Sequence, residues 1–364
     1  MKQIKEFLTF AQTPYLGCVY GKRLLDRFGS VENILAAPKE KLVDVVPERV
    51  AESLYRNFEH PPDAVAHQFE RIAKTDATFV PLTSDDYPAL LREIYDPPLF
   101  LFVMGKLAPT DRFSISIVGT RNPTTYGRFF TESIAQSLAR HGLTIISGMA
   151  VGIDSAAHQG ALSAGGRTIA VLGSGVDIIY PKVNKRLYEK IKGTGAIVSE
   201  FLLGEEVKAE NFPRRNRIIS GMSLGTLVAE AGERSGALIT AKYSLDQGRE
   251  LFAVPGSPNQ PKSVGTNRLV QRGEAKLILN EEDILNEIEQ YLPAKESLPE
   301  ALPSLSELSP EQRVVYQVLS REPKHIDKIA QEADMDPGYA LSQLFELELA
   351  GVVKQLAGKQ FIKI

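Results

Sequence analysis

The chain has 364 residues, of which 43% are hydrophobic and 24% charged, with a formal net charge of -3. That size and composition suit two or three globular units, and nucleic acid would be met by a local basic patch, not by the global field. The single cysteine, Cys18, excludes an intramolecular disulfide framework and a cysteine-rich metal site.

The opening "MKQIKEFLTFAQTPYLG" lacks the long apolar core and small-residue cleavage site of a signal peptide. No run of about 18 uncharged apolar residues follows, so a cytoplasmic protein without a membrane span is expected. Residues 1 to 75 show helical periodicity. Within them Leu24, Leu25, Phe28, Ile34, Leu35 and Leu42 form an apolar face broken at Gly29-Ser30. Ser30 is placed to cap the second of two helices. This hairpin reads as a packing element, because its turn is short of lysine and arginine.

From 76 to 290 the pattern changes. "SISIVGT", "TIISGM", "TIAVLGSG", "GAIVSEF", "GTLVAEA" and "ELFAVPG" are short apolar runs separated by amphipathic segments such as "GRFFTESIAQSLARHG". That alternation predicts an α/β unit whose parallel sheet is covered on both faces. Ligands of such sheets bind beyond the carboxyl ends of the strands.

Four stretches converge on that edge. "VGTRNPTTYG" ends a strand at Gly119-Thr120, sets Arg121 beside the turn, and is expected to aim the next helix's positive amino end at the same place. "SGMAVGIDSAAHQGAL" frees the backbone at Gly148 and Gly152, and Asp154 and Ser155 suit a helix start. His158, one turn beyond Asp154, reads as structural, since no nucleophile stands beside the pair. "VLGSGVDIIYPKVNKRLYEKI" lacks the third glycine of a dinucleotide fingerprint. Tyr180-Pro181, Lys182, Lys185 and Arg186 follow instead, and the last two fit either phosphates or a solvated helix face. "NFPRRNRIISGMS" places Arg214, Arg215 and Arg217 beside Phe212, with Lys208 just upstream. Aromatic rings interleaved with arginine suit single strands, whose bases need a π-face and whose phosphates need charge. Asn216 and Arg217 also fit a buried role, with Glu230 or Glu200 as the arginine's partner. Arg215 has no evident place.

There is no GxxxxGK[ST] loop for ATP, no HExxH or Cys/His cluster for zinc, and no carboxylate pair spaced for a nuclease metal. Neither cofactor nor metal is expected. "YLPAKESLPEALPSLSE", 291 to 307, reads as a linker. Residues 308 to 364 pattern as three helices and a hairpin, a winged helix. Its third helix has acids but no lysine or arginine, so a docking or regulatory domain is expected instead of a duplex reader.

Five stretches in order, "VGTRNPTTYG", "SGMAVGIDSAAHQGAL", "FPRRNRIISGMS", "SGALITAKYSLDQGRELFAVPG" and "GTNRLVQRGEAKL", resemble the DNA-processing protein A family (DprA, also called Smf) across about residues 80 to 290. The resemblance implies an extended Rossmann-like fold between a helical domain similar to a sterile alpha motif and a winged helix. It implies a homodimer without enzymatic activity that binds single-stranded DNA and loads the RecA recombinase during natural transformation. Carried over by motif, Gly119, Arg121, Ser147, Gly148, Lys182, Lys208, Phe212, Arg214, Asn216, Arg217 and Gly236 would line the DNA pocket. "GMSLGTLVAEAG" also loosely resembles the PGGxGTxxE loop of nucleoside-monophosphate phosphoribohydrolases. Ser220-Gly221-Met222-Ser223 stands where that loop has Pro-Gly-Gly.

Overall fold

The computed structural model describes residues 2–292, 308–320, 323–349, 352–356 and 358–363. They fall into two compact units, Met1–Tyr291 and Leu292–Ile364. From residue 293 on, the expected linker lies outside the described residues.

The first unit opens with six helices, α1 (Lys2–Ala11), α2 (Gly17–Phe28), α3 (Val31–Ala36), α4 (Lys39–Val43), α5 (Glu48–Glu59) and α6 (Asp63–Lys74). The α2–α3 hairpin turns as expected. Gly29 takes a φ of 81°, which a side chain would resist, and the Ser30 hydroxyl accepts from the Asn33 amide at 3.1 Å. These helices share one core with the sheet that follows, Leu24, Ile34 and Leu54 belonging to the same cluster as Leu101 and Ile197. Gln68 fastens α6 to that sheet's carboxyl edge, its amide donating to the Leu203 carbonyl and accepting from the Leu203 amide.

Nine strands make the sheet, in the order β1-β2-β6-β5-β4-β3-β7-β8-β9. β1 (Thr78–Pro81) and β2 (Phe100–Gly105) flank the short α7 (Ala89–Glu93) and pair antiparallel at one edge. The remaining seven are parallel: β3 (Ser114–Gly119), β4 (Thr144–Ser147), β5 (Thr168–Val171), β6 (Ala196–Ser199), β7 (Gly225–Glu230), β8 (Glu250–Ala253) and β9 (Lys276–Leu277). Six of these are the apolar runs read from the sequence. Right-handed crossovers put α8 (Thr125–Arg140), α9 (Ile153–Ser163) and α10 (Lys185–Thr194) on one face. They put α11 (Asn211–Gly221), α12 (Ala237–Asp246) and α13 (Val264–Gln271) on the other. α14 (Glu282–Ile288) closes the unit.

Strand order reverses between β3 and β7, which is where doubly wound sheets open a crevice. The ladder slips there, at Val118/Gly119, and Thr120 N–H donates to the Glu230 carbonyl at 2.8 Å. A Cβ at Gly119 would lie 2.6 Å from Ile153 and 2.9 Å from that carbonyl, so only glycine ends the strand without forcing α9 away.

The second unit packs α15 (Pro310–Val318), α16 (Ile326–Glu332) and α17 (Pro337–Leu349) on a sheet of order β10-β12-β11. Its strands are β10 (Lys324–His325), β11 (Val353–Leu356) and β12 (Gln360–Lys363). Val315, Ile329, Leu344 and Phe361 fill its core, and Ser309 and Gln312 form a reciprocal cap at α15. This is the expected winged helix.

Candidate nucleic-acid interface

The stretch NFPRRNRIISG is a helix, α11, with Pro213 tolerated in its first turn. Helical spacing sorts its arginines onto different faces. Phe212, Arg215, Asn216 and Ile219 share one face and line a groove of about 350 Å3 at the carboxyl edge of the sheet. Arg214 and Arg217, three apart, share another face.

The groove sits at the β3/β7 reversal, walled by Val118–Arg121, Ala150, α11 and the amino end of α12 from Ser235 to Thr240. A narrower pocket adjoins it past Gly148, Gly173, Tyr180 and Pro181, sharing Arg121, Ala150 and Phe212. Phe212 therefore stands between the two. The Arg121 guanidinium lies 5.2 Å from its ring centroid and the Tyr180 ring 6.0 Å, tilted by 41°. Gly173 lets the ring approach, since a Cβ there would lie 3.2 Å from it. Arg121 is exposed and has no ion pair among the described residues. α12 has no acid in its first turn, so its positive amino end faces the groove at Gly236, and Asp154 is the acid among the groove's lining residues. A larger cavity, about 400 Å3 around Val80, Leu107 and Met222, opens at the opposite edge, away from the glycine turns.

Arg215, unplaced by sequence, is the groove's floor brace. It is buried, and its Nη1 donates to the carbonyls of Gly148 (2.7 Å) and Val171, tying α11 to the ends of β4 and β5. A Cβ at Gly148 would sit 2.5 Å from that guanidinium, so Gly148 serves the brace as well as the groove wall. Burial lowers the Arg215 pKa to about 10, with Asp154 opposing and Arg121 adding to the fall, so the side chain stays charged at neutral pH.

Other expected contacts lie elsewhere. Ser147 is fully buried and donates to the Ile117 carbonyl at 2.6 Å. Arg217 is buried and bonds Glu200 at 2.6 Å, the partner being Glu200 and not Glu230. Arg214 is half exposed, yet it bonds the same Glu200 oxygen at 2.9 Å and lies over Phe201. Lys208 follows Val207, which lines the narrower pocket, and stands 3.6 Å from Glu205, while Lys182 is exposed just past Pro181. The amino end of α8 is not open to an anion. Glu230 fills it, its Oε2 accepting from Thr124 N–H at 2.8 Å, and a Cβ at Gly127 would strike that oxygen. Sequence reading gave Tyr180 no role. The available signal was an aromatic residue in a loop that leaves a strand at the binding edge.

The loose phosphoribohydrolase match falls on the last turn of α11 and along β7. Ser220, Gly221, Gly225 and Thr226 are buried there, and Glu230 is occupied by Thr124.

His158 is buried in α9 and packed, as read. Thr168 gives its hydroxyl proton to the Ile145 carbonyl, so it accepts from His158 Nδ1 at 2.6 Å, leaving Nε2 bare and unpartnered. Burial, and then Arg215, lower its pKa to about 3. The unfolded chain binds this proton below the ordinary value of 6.5 and the native one does not. The histidine's contribution is therefore complete above that pH and is lost as pH falls toward 3. Unfolding free energy should drop by about 1.4 kcal/mol between pH 7.5 and 5.5. His158→Asn should flatten that slope in urea titrations, and an unchanged slope would assign it to other groups.

A family model described as DNA recombination-mediator protein A matches residues 78–289. The chain belongs to that family. A second model, the DprA winged helix domain, matches residues 299–359. Among relatives, Protein Smf of Synechocystis is 34% identical, covering 98% of this chain and 97% of its own. Protein Smf of Escherichia coli is 41% identical over 77% of this chain and 75% of its own. The X-ray structure of DNA processing protein A from Streptococcus pneumoniae aligns with a TM-score of 0.68 at 34% identity, covering 78% of this chain and 97% of its own. DNA processing protein A of Helicobacter pylori, whose structure concerns its single-stranded DNA binding mode, aligns with a TM-score of 0.54 at 28% identity over 60% of this chain and 97% of its own. The family and winged helix that the sequence motifs implied are thus both present.

Proposed function

We propose that the groove holds single-stranded DNA, with a phosphate at Arg121 and the amino end of α12, and a base against Phe212 and Tyr180. Lys182 and Lys208 add charge at the rim, and Asn216 and Gly236 line the strand's path. The carrying observation is the exposed Arg121 guanidinium stacked on Phe212, with no ion pair among the described residues. An arginine so placed offers charge to the backbone, and the ring beneath offers a π-face to a base. The single-stranded DNA bound by the Helicobacter pylori relative supports the same ligand here.

In this reading the protein protects incoming strands as a homodimer formed through its α/β unit and passes them to the RecA recombinase during natural transformation. Membership of the recombination-mediator family supports that recipient. The role is binding, not catalysis, and purified protein should leave AMP intact; turnover would instead revive the phosphoribohydrolase reading.

Oligo-dT affinity measured against salt tests the groove. Contact with about four phosphates gives a log–log slope near -3, and Arg121→Ala should lower its magnitude by roughly 0.7. A slope untouched by that change would remove Arg121 from the interface. Deleting residues 308–364 should leave single-strand affinity within about threefold, since the acidic third helix of the winged helix offers phosphates nothing. Abolished binding would move the site to that unit.

A further inference from the structure

Two of the most exposed aromatic side chains lie on α8, outside the groove. Tyr126 is 59% and Phe129 73% exposed, one turn apart, with Arg128 exposed between them. Gly127, Thr131, Ile134 and Leu138 bury the helix's other face, so core packing does not explain the rings. Large apolar groups left in water call for a partner, unlike a lone exposed leucine. The first turn of α8 holds no acid, and Arg128 has no ion pair among the described residues.

The helix starts at the groove. Thr120 N–H bonds the Glu230 carbonyl and Thr124 N–H bonds its carboxylate, so residues 120–124 fold round Glu230 and return to the wall that carries Arg121. Two exposed rings beside an arginine, with Glu132 the one acid within a turn of it along the helix, offer π-faces to a strand's bases and a charge to its phosphate, a pairing that an apolar protein surface does not need. We propose that the outer face of α8 is a second stretch of the single-strand track, where Tyr126 and Phe129 stack bases leaving the groove and Arg128 meets a phosphate. This rests on the groove reading and extends it to a longer site.

The chain has no tryptophan, so Phe129→Trp installs a single reporter on an exposed position. Oligo-dT of about twenty nucleotides should quench its fluorescence, whereas one of about six, enough for the groove alone, should not. In the full-length chain, Tyr126→Ala with Phe129→Ala should weaken the longer oligonucleotide about fivefold or more per ring and leave the shorter one within twofold. Arg128→Ala should lower the magnitude of the salt slope by roughly 0.7 for the longer one alone. If the short oligonucleotide binds normally while the long one neither quenches the tryptophan nor notices the alanines, the α8 track is wrong and the groove stands. If neither length binds the unaltered protein, the groove reading has failed and takes this one with it. Alanines that abolish self-association in light scattering, with both affinities intact, would give the face to a second copy and overturn the proposal.

Discussion

Replacing Glu200 with alanine should destabilise the Met1–Tyr291 unit by about 3 kcal/mol, the low end for breaking a buried ion pair. Glu200 is buried, and its Oε2 accepts from Arg217 at 2.6 Å and from Arg214 at 2.9 Å. Arg217 keeps only Asp96 at 3.4 Å and a long contact with Cys18 at 3.7 Å once Glu200 is gone. Desolvation opposes the guanidinium's charge, and Glu200 is the first group that overrides it, so the truncation strands a charge in the interior. The expected drop in melting midpoint is about 6–12 °C for a unit of this size. Arg217→Met on top of Glu200→Ala should recover most of it, because removing both ions also removes the desolvation they suffer. A double variant no better than Glu200→Ala alone would show that the carboxylate braces the loop after β6 by some other contact.

That ion cluster marks where sequence reading stopped. Six of the seven parallel strands were legible because each is a short apolar run ending in small residues, a pattern that burial on both faces imposes, whereas β9 is two exposed residues, Lys276 and Leu277. β1 and β2 went unread: they are an antiparallel edge, and FLFVMG alone carries no sign of its direction. The glycines at 119 and 148 were legible as close approaches, though not what approaches them, which is Ile153 and Arg215 in turn, while the approach of Phe212 to Gly173 went unread. Three arginines in four residues read as basic contacts, with Arg217 also fitting a buried pair with Glu230 or Glu200 and Arg215 without a place. Their division is a property of the helix: one turn brings Arg214 and Arg217 together against Glu200, while Arg215 turns inward to the carbonyls of Gly148 and Val171. Charge count drew attention to α11, but only the 3.6-residue period and the partners from distant strands assign each charge. Ser147 misled for a similar reason. A serine at a strand's carboxyl end is as able to satisfy a neighbouring carbonyl as to meet a ligand, and here Ile117 takes its proton.

Phe212→Ala should weaken oligo-dT binding by about 1–3 kcal/mol, roughly 5- to 150-fold, if a base stacks on its ring. The ring also packs against Gly173 and under Arg121, so truncation alone would not separate stacking from lost support. Phe212→Leu makes that separation. Leucine refills most of the volume and should restore the melting midpoint, yet it has no π-face, so affinity should stay low. The salt slope divides the pair further: losing the ring removes no phosphate contact and should leave the slope alone, whereas losing Arg121 should reduce it. Because the guanidinium rests on the ring, the two effects should not add. Arg121→Ala should cost less in a Phe212→Ala background than in the unaltered chain, the arginine having already lost its platform. Strict additivity would mean that Arg121 and Phe212 act on the strand independently, and the contact between them would then add nothing to binding.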